Sequence, residues 1–186
     1  MEYVFGPVPS RRLGKSLGIN NIPSKYCSFS CIYCQVGRTT NLIIERREFY
    51  PWKEIVDEVV EVIGHKKIKV DYVTFVPDGE PTLDLNLGKE IHSIKREITA
   101  PIAVLTNSSL LYLDDVRRDL YEADLVSLKL DSLVEETFRK INRPHPSLKL
   151  NEILEGIKVF SKEFKGIIIT ETMLVNNIND YRENFT

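Results

Sequence analysis

Three cysteines stand within eight residues, Cys27-Ser28-Phe29-Ser30-Cys31-Ile32-Tyr33-Cys34, and the 186-residue chain has no other thiol. Thiolates at C-x3-C-x2-C spacing are soft donors suited to iron–sulfur clusters or zinc. Three cannot complete a four-cysteine cluster, so a [4Fe-4S] group held here leaves one iron open to a small molecule. Zinc is the rival, because Cys31-Ile32-Tyr33-Cys34 is a C-x2-C knuckle that His65, His92 or His145 could complete. None of those histidines has a ligand-like spacing to the cysteines, and structural zinc usually pairs two knuckles.

Other polar residues fall at the ends of apolar runs: Asp78-Gly79-Glu80-Pro81, Thr106-Asn107-Ser108, Ser127-Leu128-Lys129-Leu130-Asp131, and Glu171 to Val175. Side chains alternate faces along a strand, so Ser127, Lys129 and Asp131 share one side while Leu128 and Leu130 take the other. A buried lysine needs a partner, and Asp131 or a bound anion supplies one. Each feature also has a plainer reading. Gly79-Glu80-Pro81 is a common turn with a solvated acid, Thr106-Asn107-Ser108 an Asx turn capping the next helix, and Lys129 with Asp131 a structural ion pair.

The runs themselves alternate between strand and helix patterns. Strands are expected over 17–22, 70–76, 102–105, 125–130 and 166–174. Helices are expected from Pro51 to Gly64, over 87–98, 114–122 and 134–140, and around Ile153 to Phe164. A β-α repeat implies an α/β fold with a parallel sheet and outer helices, whose ligands gather at the C-terminal strand ends. All the polar features above lie there.

Composition sets the frame. The chain is 42% apolar with net charge −2, one ordinary domain with little general attraction for polyanions. The odd cysteine count, the lack of an apolar leader in MEYVFGPVPSRR and the lack of any membrane-length apolar run predict a reducing cytoplasmic setting with no membrane.

The cysteine spacing, with Tyr33 before the last cysteine and a βα repeat following, resembles the radical S-adenosylmethionine (SAM) superfamily over nearly the whole chain. The resemblance implies a partial (β/α)6-type radical SAM barrel. Cys27, Cys31 and Cys34 would hold a [4Fe-4S] cluster, and the methionine amino and carboxylate groups of SAM would chelate its fourth iron. Tyr33 would contact the adenine region, and Gly79, Glu80 and Pro81 would bind the methionine amino group. Asn107 and Ser108, then Ser127, Lys129 and Asp131, match the polar segments of the third and fourth strands, and backbone at Met173 to Val175 would face adenine. Asp78 replaces a usual glycine, and Ser108 another.

Such an enzyme cleaves SAM reductively to a 5′-deoxyadenosyl radical that abstracts hydrogen from a substrate. It needs a low-potential donor of the ferredoxin or flavodoxin type, and tRNA, a protein or a small anionic molecule are the candidate substrates. The opening Gly6-to-Gly14 segment resembles an uncharacterised branch distantly related to wyosine-forming tRNA-modification enzymes. Arg11 and Arg12, with Lys15 and Arg38, either hold a phosphate or carboxylate or form a solvated basic loop; Arg139, Arg143 and His145 form a second basic set, and either set is a candidate for SAM's carboxylate or the substrate. Only about five βα units are visible, so 1–186 is expected to be a core domain cut before its sixth strand. The other classes are an iron–sulfur electron-transfer or cluster-carrying protein, which needs the cysteines but not the strand-end row, and a zinc-stabilised binding module.

Overall fold

A computed structural model describes residues 3–65 and 68–186. Its main sheet has the order β1-β2-β5-β6-β7-β8, built from β1 (Val4–Ser10), β2 (Gly14–Ile19), β5 (Tyr72–Phe75), β6 (Ile102–Thr106), β7 (Leu125–Lys129) and β8 (Ile167–Glu171). From β2 to β8 every pairing is parallel. A small parallel pair, β3 (Tyr26–Cys27) with β4 (Asn41–Leu42), brackets the cysteine loop.

The crossovers are helical: α1 (Trp52–Val60) running into a π-helical turn over Glu61–His65, α2 (Leu87–Glu97), α3 (Asp114–Leu120), α4 (Glu135–Asn142) and α5 (Leu150–Glu163). Pro51 sits just before the first turn of α1, where its missing N–H costs nothing.

The five expected strands and the helices between them are all present. The first strand lies earlier than its apolar run suggested, at Gly14–Ile19 instead of 17–22. The segment before it, read only as a basic motif, is the antiparallel edge strand β1. Pro7 and Pro9 disguise it, since proline lacks the ladder donor and is tolerated only at an edge. Among the described residues the main sheet thus holds the five expected parallel strands and, at the β2 edge, the antiparallel β1.

Strand alternation divides the interior. Leu17, Ile19, Val73, Phe75, Ile102, Val104, Val126 and Leu128 pack against the helices through Ile55, Ile91, Val116, Phe138 and Phe160. The opposite face carries Ala103 and Leu125, with Tyr72, Leu105 and Ile169 packed on them and Leu13 plugging one end. On that inner face Ser16 and Thr74 share a hydrogen bond at 2.7 Å. Ser127 and Lys129 follow the same parity, as expected. The inner face is thus sealed by apolar groups at its base and becomes polar toward the C-terminal strand ends.

Candidate functional site

The cysteine loop follows β3 and is pinned from two sides. From one side, Lys25 N–H donates to the Asp78 carbonyl at 2.7 Å and Glu80 N–H to the Tyr26 carbonyl at 3.1 Å. Gly79 permits this: a Cβ there would stand 2.0 Å from the Tyr26 oxygen. From the other side, the segment ending α4 donates from His145 N–H to the Ser28 carbonyl at 2.8 Å, and Ile32 N–H reaches the Ile141 carbonyl at 2.9 Å. The loop is held between the β5 and β7 connections, directly over the inner face of the sheet.

Cys27, Cys31 and Cys34 then line one cavity of about 330 Å³ together with Tyr33, Gly79, Lys129, Glu171 and Met173. Lys129 lies 3.6 Å from both Asp131 and Glu171, with its ammonium 4.8 Å from the Tyr33 ring centroid. The expected ion pair with Asp131 is therefore real but shared. Burial tends to raise the Glu171 carboxyl, and Arg12 at 2.7 Å and Lys129 outweigh it and hold the group low. Arg12 thus reaches across to β8 instead of joining a basic set at the cysteines, while Arg38 and Arg143 lie along the loop's outer wall.

Several expected site residues stand behind the lining. Glu80 is 1% exposed, which overturns its reading as a solvated loop acid. Its carboxylate accepts from the Thr82 hydroxyl and Thr106 hydroxyl, both at 2.6 Å, from Thr82 N–H at 3.1 Å and from Asn107 N–H at 2.7 Å. Burial raises its proton affinity and these donors oppose that. Pro81 opens the short 3-10 turn Pro81–Leu83 beside it. Asn107 makes the expected Asx turn to Ser109 N–H at 2.9 Å, yet it caps no helix, since α3 begins at Asp114. Its amide is spent on Ser28 Oγ at 2.8 Å and Cys27 Sγ at 3.5 Å. Ser108 and Ser127 are buried outside the lining. Ser108 holds φ 68, the left-handed region where glycine is favoured, and nothing in the structure explains the serine there.

Asp131 organises the far wall. It accepts from the Tyr33 hydroxyl, from Asn142 Nδ2 at 2.7 Å and from Met173 N–H at 2.7 Å. Asn142 also points its amide at Cys31 Sγ, 3.4 Å away. Sequence reasoning missed this residue. Its signal was an asparagine four positions after Phe138, on the buried stripe of α4.

A sequence model of the Radical SAM superfamily matches residues 21–185. The chain belongs to the radical SAM superfamily. It is 57% identical over 179 residues to a UPF0026 protein of Methanocaldococcus jannaschii, covering 96% of this chain and 56% of that one. The chain thus spans little more than half of that relative. Among solved structures it resembles native anSMEcpe with bound AdoMet (TM-score 0.60, 19% identity, 83% of this chain and 42% of that one). It also resembles TYW1 with a lysine-pyruvate adduct bound (TM-score 0.59, 19% identity, 89% and 57%). The α/β sheet with outer helices is the partial barrel of this radical SAM superfamily.

The donor set fits the iron–sulfur group that this superfamily implies. Burial, then the neighbouring Glu80 charge, pushes the Cys27 thiol up to about 12, and burial also raises Cys31. Such thiols become thiolates when a cation compensates them, so ligation releases their protons. Phe29 N–H and the Asn107 amide at Cys27, both at 3.5 Å, and the Asn142 amide at Cys31 supply the sulfur-directed donors that stabilise thiolate ligands. Among the described residues no group of three His, Cys, Asp or Glu side chains is placed to hold a metal ion. His92 is exposed and pairs with Glu122 at 3.3 Å on the outer helices, away from the cysteine loop. The His65 side chain lies outside the described residues. No helix among the described residues is long and apolar enough to cross a membrane.

Proposed function

We propose that Cys27, Cys31 and Cys34 hold a [4Fe-4S] cluster and that the adjoining cavity takes SAM on the cluster's open iron. The observation that carries this is the sharing of one cavity by all three thiols and by Tyr33, Gly79, Lys129 and Met173. Together the bound groups supply reductive cleavage of the SAM carbon–sulfur bond to a 5′-deoxyadenosyl radical, which takes hydrogen from a substrate.

The chain's own residues bind, orient and exclude water. Pro77, Asp78 and Gly79 line the cavity beside the cysteines, while Glu80 stiffens that segment from behind through Thr106 and Asn107. Lys129 presents a cation suited to the SAM carboxylate, and Tyr33 a ring held by Asp131. Met173 N–H is committed to Asp131 and its carbonyl accepts from Asn179 at 2.9 Å, so adenine meets the Met173 side chain or the Leu174 peptide. Pro81, Ser108 and Ser127 act as supports. The electron comes from a ferredoxin- or flavodoxin-type donor in the cytoplasm, and residues 1–186 form the core domain of the enzyme. The substrate is an RNA, a protein or a small anionic molecule.

Anaerobic reconstitution with iron and sulfide, then dithionite and SAM, tests the reading by release of 5′-deoxyadenosine. Cys31→Ala should abolish it, and Lys129→Ala should raise the KM for SAM about tenfold, the loss of one charge-assisted contact. Cleavage undiminished in Cys31→Ala would sink the mechanism, and a cluster that ignores SAM would favour an electron carrier.

A further inference from the structure

A second depression, about 770 Å³, adjoins the cysteine pocket and shares Thr39 with it. Its wall carries Arg38, Arg139 and Arg143, with Ser30, Thr39 and Thr40, and no acidic residue. In a chain of net charge −2 that is a local reversal of sign.

The three arginines are not equivalent. Arg139 is anchored, with Nε 2.7 Å from Glu135 and Nη2 donating to the Leu148 carbonyl at 3.0 Å. Arg38 and Arg143 are exposed and have no acidic partner among the described residues. Arg143 also occupies the left-handed cap of α4, at φ 45 and ψ 59. That position ordinarily goes to glycine or asparagine, and an L side chain there costs roughly 1 kcal/mol. The backbone role of the position, a carbonyl that accepts from Ser30 N–H at 3.1 Å, asks for no side chain at all. The fold does not account for the guanidinium, so something it faces should.

Guanidinium forks and hydroxyls match phosphate oxygens in charge and in planar, bidentate geometry. The groove begins at Ser30, one residue before Cys31, so a ligand lying in it continues over Thr39 into the cysteine pocket. We propose that this groove binds the phosphate groups of the substrate while the reacting part enters the pocket, an assignment that rests on the radical reading above. Either the backbone of an RNA or the phosphate chain of a nucleotide offers that chemistry.

The test is fluorescence anisotropy of a labelled single-stranded oligoribonucleotide on the reconstituted protein, without SAM or reductant, across a salt series. Inorganic tripolyphosphate, GTP and polyglutamate serve as competitors. The expected result is salt-dependent binding displaced by tripolyphosphate. The Arg38→Ala/Arg143→Gly double variant should weaken it about tenfold or more and flatten the log–log salt slope by about 1.4, or about 0.7 per lost contact. Arg143→Gly preserves the left-handed cap, and an unchanged melting temperature would show that folding is intact. Lys158→Ala on α5 should bind as the parent does. Displacement by GTP at low concentration would support a nucleotide, and resistance to GTP with displacement by tripolyphosphate would support RNA. No binding of either the oligoribonucleotide or a fluorescently labelled GTP, equal binding by the double variant, or equal displacement by polyglutamate would overturn the assignment. Since no SAM is present, a failure of SAM cleavage leaves this readout untouched.

Discussion

Asp131 shows how much of the pocket depends on one buried carboxylate. It fixes the Tyr33 ring through its hydroxyl and the Met173 peptide through its N–H, and it holds Asn142, which turns its amide to Cys31. Asn142 Oδ1 has no partner of its own. Asn142→Ala removes that orphan but strips a donor from Asp131, so a net loss of about 1 kcal/mol is expected from urea midpoints. Asn142→Asp, which sets a second carboxyl against Asp131 and Cys31, should cost more; equal stability in both variants would argue against the network. Ser108 is the opposite case. Its hydroxyl is buried without a partner and its backbone sits at φ 68. Ser108→Gly should therefore stabilise the chain by about 1 kcal/mol, and a lowered melting temperature would show that the hydroxyl has an unseen task.

The connection after β5 works as a clamp on the cysteine loop. Gly79 lets it approach the Tyr26 carbonyl, and Glu80 then ties it to the end of β6. Gly79→Ala would put a methyl 2.0 Å from that carbonyl oxygen, forcing the two segments apart at a cost of about 1–3 kcal/mol. Iron retained per chain after reconstitution should fall with it, and full iron content would show that the clamp is dispensable. Much of this arrangement was legible beforehand. Periodicity located the parallel strands, and strand parity placed Ser127 and Lys129 on the inner face, because both signals are local. Pairings between distant segments were not legible. Nothing adjacent in sequence tells that Arg12 meets Glu171, that Asn142 meets Cys31, or that the proline-bearing β1 completes an edge. The plainer reading of Glu80 as a solvated acid fails for the same reason, since its donors at Thr106 and Asn107 come from another strand.

The molecule as a whole carries an electrostatic burden away from the pocket. Asp84 and Glu90 are both 0% exposed, at the entry to α2. Burial raises Asp84 to about 6, and burial followed by the Asp84 charge raises Glu90 well above the usual carboxylate range, with Asp119 adding to it. Arg46 is the cation facing this cluster. It donates to the Asp84 carbonyl at 2.8 Å and the Thr82 carbonyl at 2.9 Å, and it pairs with Asp115 at 2.6 Å and with Asp119. Both Glu90 oxygens lack a charged or N–H donor. For an acid whose folded pKa is raised, the folded chain binds more protons than the unfolded one between the two values. Its contribution to stability therefore falls as pH rises through that window, here from about 4 upward past about 6. Glu90→Gln removes one titrating group and its repulsion on Asp84. The variant's advantage over the parent should thus be small near pH ~4 and grow to about 1 kcal/mol near pH ~7, read from urea midpoints. The pair lies outside the cysteine pocket, so iron content should match the parent at both pH values. An advantage independent of pH would mean that Glu90 is not the group whose proton the folded chain retains.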